Sequence, residues 1–144
     1  MGIAGICGRM EDVHNVRMSL GRILVVEDEP LIRMFVVDTL EIAGFQAEEA
    51  GTAAEALAKI ASETPFFAAV IIDVGLPDRP GDSLCAELRS RWAELPIIIA
   101  SGQDRAALAG RFKDDGYIGV LGKPYDSCML LDALRQIGVN ANPG

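Results

Sequence analysis

Residues 22–44 read RILVVEDEPLIRMFVVDTLEIAG, and this segment contains one strand followed directly by one helix. Ile23 to Val26 form a short apolar run with no polar face, the pattern of a strand covered on both sides. Glu27, Asp28 and Glu29 end it. Pro30 then stands where a first helical turn tolerates a missing N–H, and Gly44 stands where a helix stops. Carboxylates therefore crowd the junction where the strand gives way to the helix.

The alternation continues to the end of the chain. Phe45 to Ala50 is a weaker, half-polar strand, and Thr52-Ala-Ala-Glu55 opens a second helix with a capping box that runs to about Ser62. Ala68 to Ile72 is a third strand. Leu84, Leu88 and Trp92 form a helical stripe within Gly81 to Trp92, and Pro96 to Ala100 is a fourth strand. A helix at about Asp104 to Phe112 is weakened by Gly110, before a strand at Ile118 to Leu121 and a final helix marked by Leu130, Leu134 and Ile137.

Five strands alternating with five helices predict an α/β fold: a doubly wound, five-stranded parallel sheet with helices on both faces. The continuous apolar runs of the first, third and fourth strands make them central, so the second and fifth are edges. That is the flavodoxin-like order 2-1-3-4-5, whose binding crevice lies at the carboxyl ends of the first and third strands. Residues 1–21 lack either periodicity and read as a flexible arm, residues 22–138 as the single domain, and residues 139–144 as a short tail.

Composition narrows the function classes. The 144 residues carry a formal net charge of −8, which disfavours nucleic acid as a partner. Half the residues are hydrophobic, yet no apolar run approaches the roughly 18 residues of a membrane span. The polar, acidic N-terminal stretch does not resemble a secretory leader, so a cytoplasmic location is expected. Cys7, Cys85 and Cys128 are odd in number and lack CxxC spacing, so a disulfide framework or zinc site is not expected. Cys85 and Cys128 fall on helices. His14, the single imidazole, has no ligand partners nearby and reads as a solvated residue.

The chemistry concentrates at strand ends. Glu27 and Asp28 follow the first strand and Asp73 the third. Two such carboxylates at about 4 Å repel by about 4 kcal/mol at an effective dielectric near 20, so a cation belongs among them. Carboxylate oxygens suit Mg²⁺, which takes one or two carboxylates, waters and a phosphate. Ser101 after the fourth strand and Lys123 after the fifth reach the same crevice, offering a hydroxyl donor and a mobile positive charge for phosphoryl oxygens.

These residues resemble the response-regulator receiver family over about Arg22 to Gly138. The likeness lies in LVVEDEP, VIIDVGLPDRPG, IIIASG and LGKPY, whose Asp28, Asp73, Ser101 and Lys123 are spaced by 45, 28 and 22 residues. Each motif alone is weak, and their joint occurrence is specific. The resemblance implies that Asp73 takes a phosphoryl group from a sensor histidine kinase or a histidine phosphotransfer protein. It implies Mg²⁺ held by Asp28, Asp73 and the Gly75 carbonyl, with Glu27 acting through water. Ser101 would turn to the phosphoryl group, Lys123 would contact it, and the Lys123–Pro124 bond would be cis. The chain would not be an enzyme beyond its own phosphorylation and dephosphorylation. It would signal by contact with an unnamed downstream protein, since no output domain is evident, and a homodimer stays open.

One position departs from the family pattern. Val120 stands three residues before Lys123, where an aromatic switch is usual, and Tyr117 and Tyr125 are the available substitutes. Gly75 and Gln103 lie where side chains could affect the hydrolytic water. Simpler readings stay open for single motifs: Asp28 as a cap of the first helix, Ser101 as a cap through S-x-x-D, and Lys123 as a solvated turn residue. Asp73 resists such a reading, because an acid ending a buried apolar strand needs a partner or a metal. A flavin carrier would need a phosphate-binding loop where Glu27-Asp28-Glu29 stands. A dehalogenase-type phosphatase would need a second acid where Gly75 stands. A phosphorylation-independent pseudo-receiver is the remaining alternative.

Overall fold

The computed structural model describes residues 21–62 and 67–140. Most of the expected arm, with Cys7 and His14, and the tail beyond Asn140 lie outside the described residues. Along the chain run β1 (Arg22–Val26), α1 (Pro30–Ile42), β2 (Gln46–Ala50), α2 (Ala53–Ser62), β3 (Ala69–Asp73), α3 (Gly81–Arg91), β4 (Ile97–Ser101), α4 (Arg105–Arg111), β5 (Ile118–Gly122) and α5 (Ser127–Gln136). The strands form one parallel sheet in the order β2-β1-β3-β4-β5. Strand order, element count and the edge positions of β2 and β5 are as expected from the alternation.

Two apolar layers sandwich the sheet. Alternate side chains of β1, β3 and β4 (Leu24, Val26, Val70, Ile72, Ile97, Ile99) meet α2, α3 and α4 through Ala56, Leu84, Leu88 and Leu108. The intervening side chains (Ile23, Val25, Ile71, Ile98) meet α1 and α5 through Val36, Leu40, Leu130 and Leu134. Burial on both faces explains why these strands are apolar without alternation.

Helix ends are fixed by local chemistry, in part as the sequence suggests. Pro30 opens α1, but Glu29 is the N-cap and makes no side-chain cap bond, so Asp28 is free of that duty. Gly44 takes φ 106°, its N–H donates to Glu41 O, and the Phe45 N–H reaches Leu40 O at 3.0 Å, a paired closure that seats Phe45 in the core. The end of α5 repeats this with Gly138 at φ 91° and Val139 N–H on Leu134 O at 2.9 Å. Val139 is buried in consequence, so the packed chain runs past the expected limit at 138.

The start of α2 differs from the expected capping box. Thr52 Oγ1 accepts from Glu55 N–H at 3.0 Å as expected, but Glu55 Oε1 accepts from Gly51 N–H, one residue earlier than the box requires. The N–H groups of Ala53 and Ala54 are taken by Asp78, 2.9 Å each, from the loop between β3 and α3. These two bonds hold the Asp78 carboxyl below the usual carboxylate range. The loop that follows Asp73 is thereby tied to the neighbouring helix.

Gly81 opens α3 directly beneath that loop. A Cβ there would fall 2.3 Å from the Asp73 carbonyl oxygen and 2.7 Å from Val74 Cα, and Gly81 N–H donates to Val74 O at 2.8 Å. Backbone cannot retreat from such a contact as a side-chain tip can. Gly81→Ala should therefore cost about 1–3 kcal/mol of stability through overpacking. A urea titration should show a lower midpoint with an unchanged slope.

Candidate functional site

Four strand ends converge at the carboxyl edge of the sheet. Val26 and Ile72 are register partners, so Glu27 and Asp73, one residue further along, stand side by side on β1 and β3. Asp73 pairs with Ala100, and Ser101 with Gly122. The five residues expected from sequence to share the crevice, Glu27, Asp28, Asp73, Ser101 and Lys123, all lie at this edge. Oxygens of Glu27, Asp28 and Asp73 come within 4.8 Å of one another.

Burial separates the roles of the carboxylates. Asp73 is 6% exposed and Glu27 4% exposed, whereas Asp28 is open to solvent. Asp73 Oδ1 pairs with Lys123 Nζ, and Oδ2 accepts from Gly75 N–H at 3.0 Å. Both oxygens of this buried acid thus have a partner. Glu27 Oε2 accepts from Glu29 N–H at 3.1 Å, and its carbonyl accepts from Arg33 Nη1 at 2.7 Å. Arg33 also reaches Glu49 at 2.8 Å, so one side chain steadies the β1 exit against β2. Nothing in the spacing of Arg33 predicts that double contact.

Glu27 records the stress of the arrangement. Burial, reinforced by the negative charge of Asp73 and Asp28, pushes its carboxyl up to about 7 against the bond from Glu29 and the charge of Lys123. The three carboxylates fit a hard divalent cation, which would relieve this repulsion with oxygen ligands alone.

Ser101 is 1% exposed, and its Oγ finds no hydrogen-bond partner among the described residues. It does not cap α4, whose N-cap is Asp104. A buried unsatisfied hydroxyl costs about 1–3 kcal/mol, and packing alone does not explain it. The Lys123–Pro124 bond is cis, as the resemblance implies.

The proposed substitutes for the aromatic switch fare differently. Tyr117 precedes β5, at the end of the sheet away from the crevice, so it cannot serve there. Tyr125 lies beside Phe35, with ring centroids 6.2 Å apart, and packs on the α1/α5 layer. Burial, with the charges of Glu27 and Asp73, pushes its phenol up to about 12. Val120 packs into the opposite layer with α3 and α4.

Comparison with known proteins agrees with this fold. The response regulator receiver domain family matches at residues 23–135. The chain is 34% identical over 116 residues to the response regulator MprA of Mycolicibacterium vanbaalenii, covering 81% of this chain and 49% of that protein. It thus spans about half the length of the curated relatives it matches. Among solved structures, a CheY-like receiver domain protein from Methanospirillum hungatei superposes with a TM-score of 0.73 at 30% identity, covering 82% of this chain and 93% of its own. The chemotaxis response regulator CheY4 of Vibrio cholerae gives 0.71 at 30%, covering 81% and 98%.

The raised carboxyl of Glu27 sets a sign for stability. Between its ordinary 4.5 and about 7 the folded chain holds a proton that the unfolded chain has released, so stability is lost as pH rises through 7. Glu27→Gln keeps the acceptor for Glu29 N–H and removes the charge. In EDTA at pH 8 the variant should be more stable than the parent by about 1–3 kcal/mol, with most of the gain gone at pH 5. Urea titrations at the two pH values measure it.

Proposed function

This chain belongs to the response regulator receiver family, and on that premise we propose that Asp73 accepts a phosphoryl group in a Mg²⁺-dependent transfer. The observation that carries the proposal is a buried carboxylate clamped between Lys123 and Gly75 N–H, with two further acids and an unpartnered buried hydroxyl beside it. A structural acid would need only the partners it already has. The surplus of acceptors and the orphan donor make sense only when a cation and an anion both arrive.

The donor is the phosphohistidine of a sensor histidine kinase or of a histidine phosphotransfer protein. One Asp73 oxygen attacks phosphorus, the P–N bond breaks, and its electron pair leaves with the imidazole. The products are the free imidazole and an acyl phosphate on Asp73. Bound Mg²⁺, held by Asp28, Asp73 and the Gly75 carbonyl with Glu27 acting through water, would neutralise charge on the transferring oxygens. Lys123 moves from the carboxylate it now holds to a phosphoryl oxygen, as a flexible ammonium can. Ser101 turns its hydroxyl to another, which ends its isolation.

Charge supports this assignment. A carboxylate of charge −1 becomes a group of about −2, while Glu27 stays beside it. Only a site already supplied with cation and donors absorbs that change. The chain does no chemistry on any other substrate in this reading and passes its signal by protein contact. Leu31 and Ile42 of α1, 77% and 87% exposed, support a surface of that kind. The downstream partner is a protein, and residues 22–138, with Val139 packed onto their end, form the signalling unit.

With Mg²⁺ and acetyl phosphate, intact mass should show one added phosphoryl group, stable to acid and released by base. Asp73→Asn and EDTA should each abolish it. Labelling that survives in Asp73→Asn, or a wild-type chain inert to every donor, would point instead to a phosphorylation-independent pseudo-receiver.

A further inference from the structure

Arg105 is an unpaired cation beside this site. It opens α4, whose first turn contains no acidic residue and whose N-cap makes no side-chain bond. The positive end of a helix is an unfavourable place for a guanidinium without a counter-ion. Among the described residues the Arg105 side chain has no hydrogen bond or ion pair, whereas Arg33, Arg79, Arg89, Arg111 and Arg135 all have carboxylate partners.

Its side chain nevertheless has a defined seat. A Cβ on Gly122 would fall 2.7 Å from Arg105 Cδ and 3.0 Å from Nε, so the arm lies across the strand where a side chain of residue 122 would stand. Gly122 is the register partner of Ser101, and partners on parallel strands project to the same face. The Arg105 arm is therefore the lateral neighbour of the buried, unpartnered Ser101 Oγ. Lys123, the next residue of the chain, already reaches Asp73.

We propose that Arg105 is a second phosphoryl-binding cation, which joins Ser101 and Lys123 on the phosphoryl oxygens of Asp73 and draws the start of α4 toward β5. The inference rests on the reading of Asp73 as the acceptor. The planar fork of a guanidinium suits two phosphoryl oxygens at once, which one ammonium does not. Gly122 leaves the corridor open, and the new negative charge gives Arg105 the counter-ion it lacks. Val120 cannot swing an aromatic ring into this space, so in this chain a charged arm from α4 takes up the reporting task.

The test uses the full chain with Mg²⁺ and beryllofluoride, a stable mimic of the phosphoryl group, and follows both affinity and the Nε–H resonance of Arg105. In the wild type that resonance should shift on addition. Arg105→Ala should weaken beryllofluoride about tenfold, equivalent to about 1.4 kcal/mol. Arg105→Lys should recover part of the loss, and Gly122→Ala, which obstructs the seat, should weaken binding without removing the charge. A wild-type affinity in Arg105→Ala with an unmoved Arg105 resonance would overturn this inference alone. Failure of the wild type to bind beryllofluoride or to take label from acetyl phosphate would overturn the acceptor reading and this inference with it.

Discussion

Two carboxylates, Glu27 and Asp73, are buried side by side where the order of strands reverses, and the rest of the site answers to that constraint. At about 4 Å and an effective dielectric near 20, such a pair repels by about 4 kcal/mol. A fold stabilised for its own sake would replace one of them. Lys123 compensates Asp73, and Glu27 responds instead by holding its proton to about pH 7. Mg²⁺ and a phosphoryl group, in the proposed function, are what make the repulsion useful: the metal draws on surplus acceptors and the phosphoryl oxygens on surplus donors.

The scaffold supplies rigidity where that chemistry needs it. Asp73 is the last residue of a fully buried strand, and the chain beyond it is fastened at three points. Gly75 N–H holds the carboxylate itself, Asp78 clamps the loop to the start of α2, and Gly81 lets α3 begin almost in contact with the Asp73 backbone. Two of these fasteners are glycines, Gly75 acting through its N–H and Gly81 through the room it leaves. At Gly81 the space is the tighter of the two, because the obstructing atoms are backbone.

Most of the fold could be read from the sequence because its determinants are local. Unbroken apolar runs at Ile23–Val26 and Ile97–Ala100 announce strands covered on both faces, and Gly44 announces a helix end. The site residues were legible for a related reason: in a parallel sheet every strand ends at the same edge, so the residues that follow strands are brought together by topology alone. Features that depend on side-chain reach were not legible. The Asp78 cap crosses 24 and 25 residues of sequence, and Arg33 serves a carbonyl and a carboxylate together. Tyr117 looked available as a switch because it is near Lys123 in sequence, but a strand of five residues separates it from the crevice.

How far a change at Asp73 travels depends on which element is cheapest to move. On the α1/α5 layer both helices end in paired closures around glycine, Asp126 caps α5 through Met129 N–H at 2.8 Å, and Thr39 meets Ser127 at 3.2 Å between the two helices. Displacing either would break several of these contacts at once. The opposite layer contains α4, seven residues long, with Gly110 in its interior, no side-chain cap and Leu108 as its single buried residue. Helices so weakly anchored lie at the low end of local stability. Three residues separate Ser101 from α4, and Gly122 lies under the first side chain of that helix, so in the proposed function the two strand ends beside the phosphoryl group both bear on the element that resists least. In the proposed function, with no aromatic at position 120, low local stability in α4 is what would allow a charge change on a rigid strand to become a change of surface.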